Sequence, residues 1–284
     1  MVITVEQLIK RAGELPPIPQ AAQKALLLIR NPDTNIGEIA EVMAVDQVLT
    51  SLVLRWANSA YYGIGNHVST VQQAVMVLGL NTVQSLILAS SVASYMDRPV
   101  PGYELERGEL WKHAIGVATG ARMLASRFGR QIAEEAYHGG LLCDIGKLAF
   151  EILLRNVSVD RPEWKDLTFL ELERAKFGID HATLGAEMAR RWNLPDNLVS
   201  TIAFHHTPSK AGEHAKIAAA VHVSDAAMMM LGQGIGKDGL QYKLETEALK
   251  LLNINENGVS DLIERMAIQI KELESFIGFD WKSR

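Results

Sequence analysis

Cysteine is nearly missing from this chain: Cys143 stands alone among 284 residues. A lone thiol cannot form an internal disulfide, so a cross-linked secreted scaffold is excluded and a reducing, cytoplasmic setting is expected. Long apolar runs are missing too. A bilayer crossing needs roughly 18 apolar residues, and the stretch Leu86–Ala93 is broken by Ser90 and Ser91. The opening MVITVEQLIKRAG carries Glu6, Lys10 and Arg11 and has no apolar core, so no signal peptide and no membrane association are expected. Blocks of like charge are absent, and 28 basic residues face 33 acidic ones for a net charge of −5. Nothing there makes a basic arm, and nucleic acid is not an expected partner. Strand-like alternation is almost wholly lacking.

What is present is apolar residue at helical spacing. Hydrophobic residues are 48% of the chain, enough for a substantial core in one large or two modest domains. Thr4 and Gln7 read as a capping box opening a helix from Val5 to about Gly13, which Leu15-Pro16-Pro17-Ile18-Pro19 then breaks. Helices are predicted at Gln20–Arg30, at Ile36–Val45 and at Asp46–Ser59, with a tight break near Asp46. Two more follow, one opened by a Ser69/Gln72 capping box and one over Asn81–Met96. Arg98-Pro99-Val100-Pro101-Gly102 is read as the hinge between a helical half at 1–98 and a second at 103–284. The second half is predicted to hold helices at about Leu105–Phe128, Ile132–Leu142, Asp144–Arg155, Leu167–Phe177, His181–Trp192, Pro195–His206 and Glu213–Leu231, with two more near the end. A polar loop is expected at Asn156–Lys165 and a mobile one at Gly232–Gly239.

The second half also carries the residues able to do chemistry. Asp144 precedes Gly146-Lys147, which places an ammonium within ion-pair reach of a carboxylate flanked by core residues. This is either the beginning of a buried metal or phosphate site or an ordinary helix start. His181 follows Asp180, a good N-cap, so its ring should sit in a first turn where the helix dipole favours the neutral form; Gly185 would leave room beside it. His205 and His206 close a helix, where the dipole favours the charged ring, and they should reach one site only from its edge. His113 is either an interhelix histidine or a ligand, and Asp225, among apolar neighbours, needs a partner such as an arginine. His67, His138, His214 and His222 are assigned to surface or structural roles.

The proline segment at 15–19, Ile39-Ala40, Asp46, Leu54, Asn58-Ser59-Ala60-Tyr61, Ser69, Ala74 and Leu78-Gly79 resemble, in order, the HDOD domain. HDOD domains are helical signalling modules related to the HD phosphohydrolases and HD-GYP phosphodiesterases. The resemblance implies an all-α, multi-helix fold in which an N-terminal helical half packs on an HD-like half. It also implies metal ligands at His113, Asp144, His181, His205, His206 and Asp225, with Lys147 as the lysine after the His-Asp pair. Imidazole and carboxylate suit Fe, Mn or Zn, and a carboxylate can bridge two such ions and help generate hydroxide for attack on phosphorus.

Two departures stand out. The histidine of the His-Asp pair is Cys143 here, either a replacement ligand or a buried small residue. After His206 the chain reads Thr207-Pro208-Ser209-Lys210, without the Gly-Tyr-Pro of cyclic-di-GMP phosphodiesterases. The expectation is a non-enzymatic regulatory module with a degenerate HD-type site. Its partners would be a sensor kinase, a response regulator or a cyclic-di-GMP enzyme, with a small ligand as a further option. The alternative is a metal-dependent phosphohydrolase acting on a nucleotide or phosphoester.

Overall fold

The computed structural model describes residues 20–31, 33–58, 67–154, 167–192, 194–234 and 243–277. Among these residues there are fourteen α-helices, a few 3-10 turns and no strand. The predicted helix at 5–13, the proline segment at 15–19, the loop at 156–165 and residues 235–239 of the glycine-rich stretch lie outside the described residues. The chain divides into two compact units, one spanning Pro17–Ser94 and the other running from Tyr95 onward.

The N-terminal unit holds α1 (Gln20–Arg30), α2 (Ile36–Ala44), α3 (Gln47–Ala57), α4 (Val71–Leu78) and most of α5 (Leu80–Met96). Each short helix buries one stripe at i, i+3, i+4 spacing: Ala22, Ala25 and Leu26 on α1, Ile39, Ala40 and Met43 on α2, Leu49, Val53 and Ala57 on α3. Short polar side chains start the helices. Asn35 accepts from the Glu38 amide and Asp46 from the Leu49 amide, each at 3.0 Å. The predicted Ser69/Gln72 box is displaced by one residue. Thr70 is the cap of α4, and the Gln73 side chain reaches back to the Ser69 amide at 3.0 Å.

The C-terminal unit is built on α6 (Glu109–Ala125), α7 (Arg130–Leu142), α8 (Lys147–Leu154), α9 (Phe169–Phe177), α10 (His181–Arg191), α11 (Asp196–Phe204), α12 (Ala215–Met230), α13 (Thr246–Leu252) and α14 (Glu256–Ile277). In α12 every side chain from Ile217 to Met229 is buried, so this helix is surrounded on all faces. α6 is nearly as enclosed. Gly140 of α7 lets that helix meet α6 backbone to backbone; a Cβ there would stand 2.8 Å from Ala118 Cα. The crossings bring His113 on α6, Asp225 on α12 and the turn after α7 together.

Residues 98–102, predicted as a hinge, enter a closed turn that runs on to Leu105 inside this unit. A 3-10 turn at Pro101–Tyr103 is bracketed by the pairing of Val100 with Leu105 (amide to carbonyl 2.8 and 3.3 Å). Outside it, Asp97 and Arg107 form an ion pair at 2.6 Å. No helix among the described residues is long and apolar enough to cross a membrane.

Candidate metal centre

The helix predicted to start at Asp144 begins instead at Lys147, and residues 143–146 form a turn between α7 and α8. Asp144 therefore sits on a bend with both oxygens facing inward, 1% exposed. Lys147 reaches back across the bend to Asp144 Oδ2 at 3.0 Å. The bend fits tightly against the start of α10: a Cβ on Gly146 would stand 1.9 Å from the His181 carbonyl oxygen, so only glycine allows this approach.

Around Asp144 the structure gathers imidazoles from three directions. His181 Nε2 lies 3.4 Å from Oδ1, His205 Nε2 3.8 Å from Oδ1, and His113 Nε2 3.6 Å from Oδ2. His113 Nε2 is also 2.8 Å from Asp225 Oδ1, so the partner of Asp225 is a histidine and not an arginine. His206 Nε2 lies 2.9 Å from His181 Nε2. The six residues named from the sequence thus converge. Three groupings of these residues and Cys143 could hold a cation, with ligand atoms within 4.8 Å of one another: His181, His205 and His206; Cys143, Asp144 and His205; His113, Asp144 and Asp225. Asp144 belongs to two of them.

The far nitrogens fix the tautomers. His113 Nδ1 donates to the Gln233 carbonyl at 3.1 Å, His205 Nδ1 to the Ile202 carbonyl at 2.8 Å, and His181 Nδ1 to the Glu173 carboxylate at 2.8 Å. A carbonyl or carboxylate can only accept, so each Nδ1 carries the hydrogen and each Nε2 faces Asp144, the arrangement that holds a metal-ligating histidine. Among the described residues, the buried oxygens of Asp144 meet the Lys147 ammonium at 3.0 Å and imidazole nitrogens only at 3.4–3.8 Å, and His205 Nε2 has no hydrogen-bond partner. Buried polar atoms are normally paired, and a divalent cation would satisfy all three. The donor set fits a metal of the Fe, Mn or Zn type.

Charge states depart from what helix position alone implied. Burial would lower the pKa of His181, but the Glu173 and Asp144 carboxylates outweigh it and raise it to about 10. The helix dipole at this N-terminus amounts to about half a charge and loses to two full charges at contact. At the end of α11, burial pushes His205 down to about 4, and burial with the neighbouring imidazoles holds His206 well below its ordinary value. α11 ends at Phe204, and the two rings lie side by side, tilted by 44° with centroids 3.9 Å apart. Burial works against the Asp144 carboxylate, yet Lys147, His181 and His113 hold its pKa well below the usual range. Burial likewise opposes charge on His113 and Asp225, and each keeps the other ionised: His113 is raised and Asp225 lowered.

Cys143 is fully buried, and its Sγ donates to the Gly140 carbonyl at 3.2 Å. Burial, followed by the Asp144 and Asp225 charges, raises its pKa well above normal, so it is a thiol pointing back into α7. Gly185 makes room for the Gly146 backbone, whose amide nitrogen its Cβ would meet at 3.1 Å, and not for the His181 ring.

Two groups escaped the sequence reading. Glu173, fully buried, accepts from both the amide and Nδ1 of His181, and Tyr103 donates its hydroxyl to the same carboxylate. Glu173 lies in LELERAK, which reads as a solvated helix face, and Tyr103 lies in apparent punctuation. Structural roles do hold for two of the other histidines. His222 donates to the His205 carbonyl and accepts from the Glu245 amide, each at 2.8 Å, and His138 is buried against Tyr137. The centre opens on one side into a cleft of ≈ 170 Å³ lined by Lys147, His181, His206, Phe169, Arg174 and Lys243.

The HDOD domain profile matches residues 15–208. The chain belongs to the HDOD family. An HDOD domain protein of unknown function from Geobacter sulfurreducens has a similar structure (TM-score 0.65, 27% identity, 96% of each chain). So has a candidate phosphohydrolase from Shewanella amazonensis SB2B (TM-score 0.64, 26% identity, 92% of this chain and 93% of that one). An uncharacterized protein of Treponema pallidum (strain Nichols) is 28% identical over 212 residues, 72% of this chain and 40% of its own. Ribonuclease Y of Thermus thermophilus is 33% identical over 150 residues, 52% of this chain and 21% of its own. The HDOD chain therefore spans less than half the length of these two curated relatives.

Proposed function

We propose that this HDOD protein is a non-enzymatic regulatory module whose buried His/Asp centre binds Fe, Mn or Zn and which acts through protein contacts. The ligands would be His113, Asp144, His181, His205, His206 and Asp225. The observation that carries the reading is Cys143. Where an HD pair has an imidazole, this chain has a thiol hydrogen-bonded away from the centre and held protonated by burial. A bound metal would supply Lewis acidity, and the remaining ligands suffice to hold it. The lost imidazole and the absent Gly-Tyr-Pro leave the ligand set for hydrolysis incomplete. The partners would be a sensor kinase, a response regulator or a cyclic-di-GMP enzyme in the cytoplasm. The test is a phosphoester panel with added Mn(II) or Fe(II): no turnover is expected, and robust turnover abolished by Asp144→Ala would refute the assignment.

A second reading, a metal-dependent phosphohydrolase, is favoured by the cleft. Arg174 and Lys243 border a histidine-lined cleft that has the buried Lys147 at its inner end, and the Shewanella amazonensis structure is that of a candidate phosphohydrolase. Elemental analysis separates the two from a third outcome. Less than about one-tenth equivalent of metal after metal-replete expression would remove both the metal-bound module and the hydrolase.

A further inference from the structure

Two of the three inward-facing rings are anchored to peptide carbonyls, which have no alternative state. His181 differs. Its anchor is the Glu173 side chain, gripped from the other side by the Tyr103 hydroxyl. Tyr103 is fully buried and is the last residue of the 3-10 turn inside the Val100–Leu105 loop. That turn follows by four residues the end of α5, the helix that carries the chain out of the N-terminal unit. A second line of contact joins the same two places. Gly102 packs so closely on α8 that a Cβ would lie 2.7 Å from Leu154 Cβ and 3.0 Å from the Glu151 carbonyl. α8 begins at Lys147, whose ammonium pairs with Asp144 and lies 5.5 Å over the Tyr103 ring.

We propose that Tyr103 and Glu173 are positioning residues that couple metal occupancy of the His/Asp centre to the conformation of the Val100–Leu105 turn. The proposal rests on the metal-binding reading above and adds the route by which the rest of the chain senses it. With a cation in place of its Nε2 proton, the His181 ring would shift toward the metal, and its Nδ1–H would carry the Glu173 carboxylate with it. The Tyr103 hydroxyl, and the turn it belongs to, follow. Coupling is reciprocal, so whatever holds the turn in place also tightens the metal.

Hydrogen exchange on the full chain, with and without Mn(II), tests this. Amides of Val100, Tyr103 and Leu105 are bonded within the turn and report it directly. In the wild-type protein, Mn(II) should slow their exchange by about 5-fold or more, the lower end of ordinary coupling between sites. Tyr103→Phe removes one hydroxyl and should still take up Mn(II) at saturation, with its affinity lowered only by the factor of coupling lost, while reducing that protection to less than about 2-fold. Glu173→Gln should weaken Mn(II) binding by about 10–100-fold, as loss of a ligand's hydrogen-bond anchor does, and remove the protection even at saturation. Protection in Tyr103→Phe equal to wild type, or none in wild type despite stoichiometric Mn(II), would overturn the coupling alone. Absence of any Mn(II) binding by the wild type would overturn both the coupling and the metal reading.

Discussion

Replacing Gly146 by alanine should do more damage than the same change at any other described glycine of the C-terminal unit. The new Cβ would stand 1.9 Å from the His181 carbonyl oxygen, 2.7 Å from the Gly185 nitrogen and 2.9 Å from the His181 carbonyl carbon. Ordinary contact begins near 3.4 Å, so the start of α10 would have to retreat by roughly 1.5 Å. All three obstacles are backbone, so no rotamer change relieves the clash. Overpacking typically costs about 1–3 kcal/mol, and this site should lie at or above the top of that range. The retreat also carries His181 away from Asp144, now 3.4 Å off, whereas metal–ligand distances tolerate only about 0.2 Å. Gly116→Ala is the control. Its Cβ would meet Met228 Sδ and Cε at 2.2 and 2.3 Å, the free end of a flexible side chain, and should cost about 1 kcal/mol. Urea unfolding and elemental analysis of both variants supply the measurement. At a slope of about 3 kcal/mol per molar, Gly146→Ala should lower the midpoint by about 1 M and empty the site of metal. A midpoint and metal content equal to wild type would refute the packing argument.

Other outcomes follow from the same geometry. Asp144→Asn should abolish metal binding and, by breaking the buried ion pair with Lys147, cost about 3–5 kcal/mol in a metal-free melt. Metal affinity should rise with pH. The metal-free His181, with its pKa at about 10, must lose a proton to bind, so affinity gains about tenfold per pH unit for each proton displaced; titration calorimetry in buffers of different ionisation enthalpy would count the protons. In the metal-free protein the sign is reversed. His181 is raised on folding, so its charge stabilises the fold fully below pH 6.5, and this contribution fades as pH climbs through about 10, readable from urea midpoints across that window. Cys143 should react with iodoacetamide only as fast as the core opens, and prompt labelling of folded protein would contradict its burial.

Helices were legible in the sequence because they follow from spacing and residue type, whereas the residues that converge on Asp144 were named by resemblance to the HD phosphohydrolases. Asp180 does cap α10, accepting from the Thr183 amide, and Asp144 does pair with Lys147. Charge states were not legible, because dipole arguments see only a residue's own helix. Carboxylates arriving from α9 and from the 143–146 turn decide His181, and the neighbouring rings help to depress His206. Glu173 was invisible for a related reason. Its helix is polar in sequence, and only tertiary packing sets this one carboxylate apart from Glu171, which caps in solvent. The glycines at 140 and 146 fall inside stretches predicted as helix; their function, backbone against backbone, needs the second backbone to be known.

His222 holds two distant segments with one neutral ring, giving a hydrogen to the His205 peptide and taking one from Glu245. Burial lowers its pKa, and a second proton could enter only by evicting the Glu245 amide. Mild acid therefore has a defined point of entry into this molecule. Charging a single imidazole would unfasten the lead-in to α13 and, in the same event, loosen the peptide behind His205.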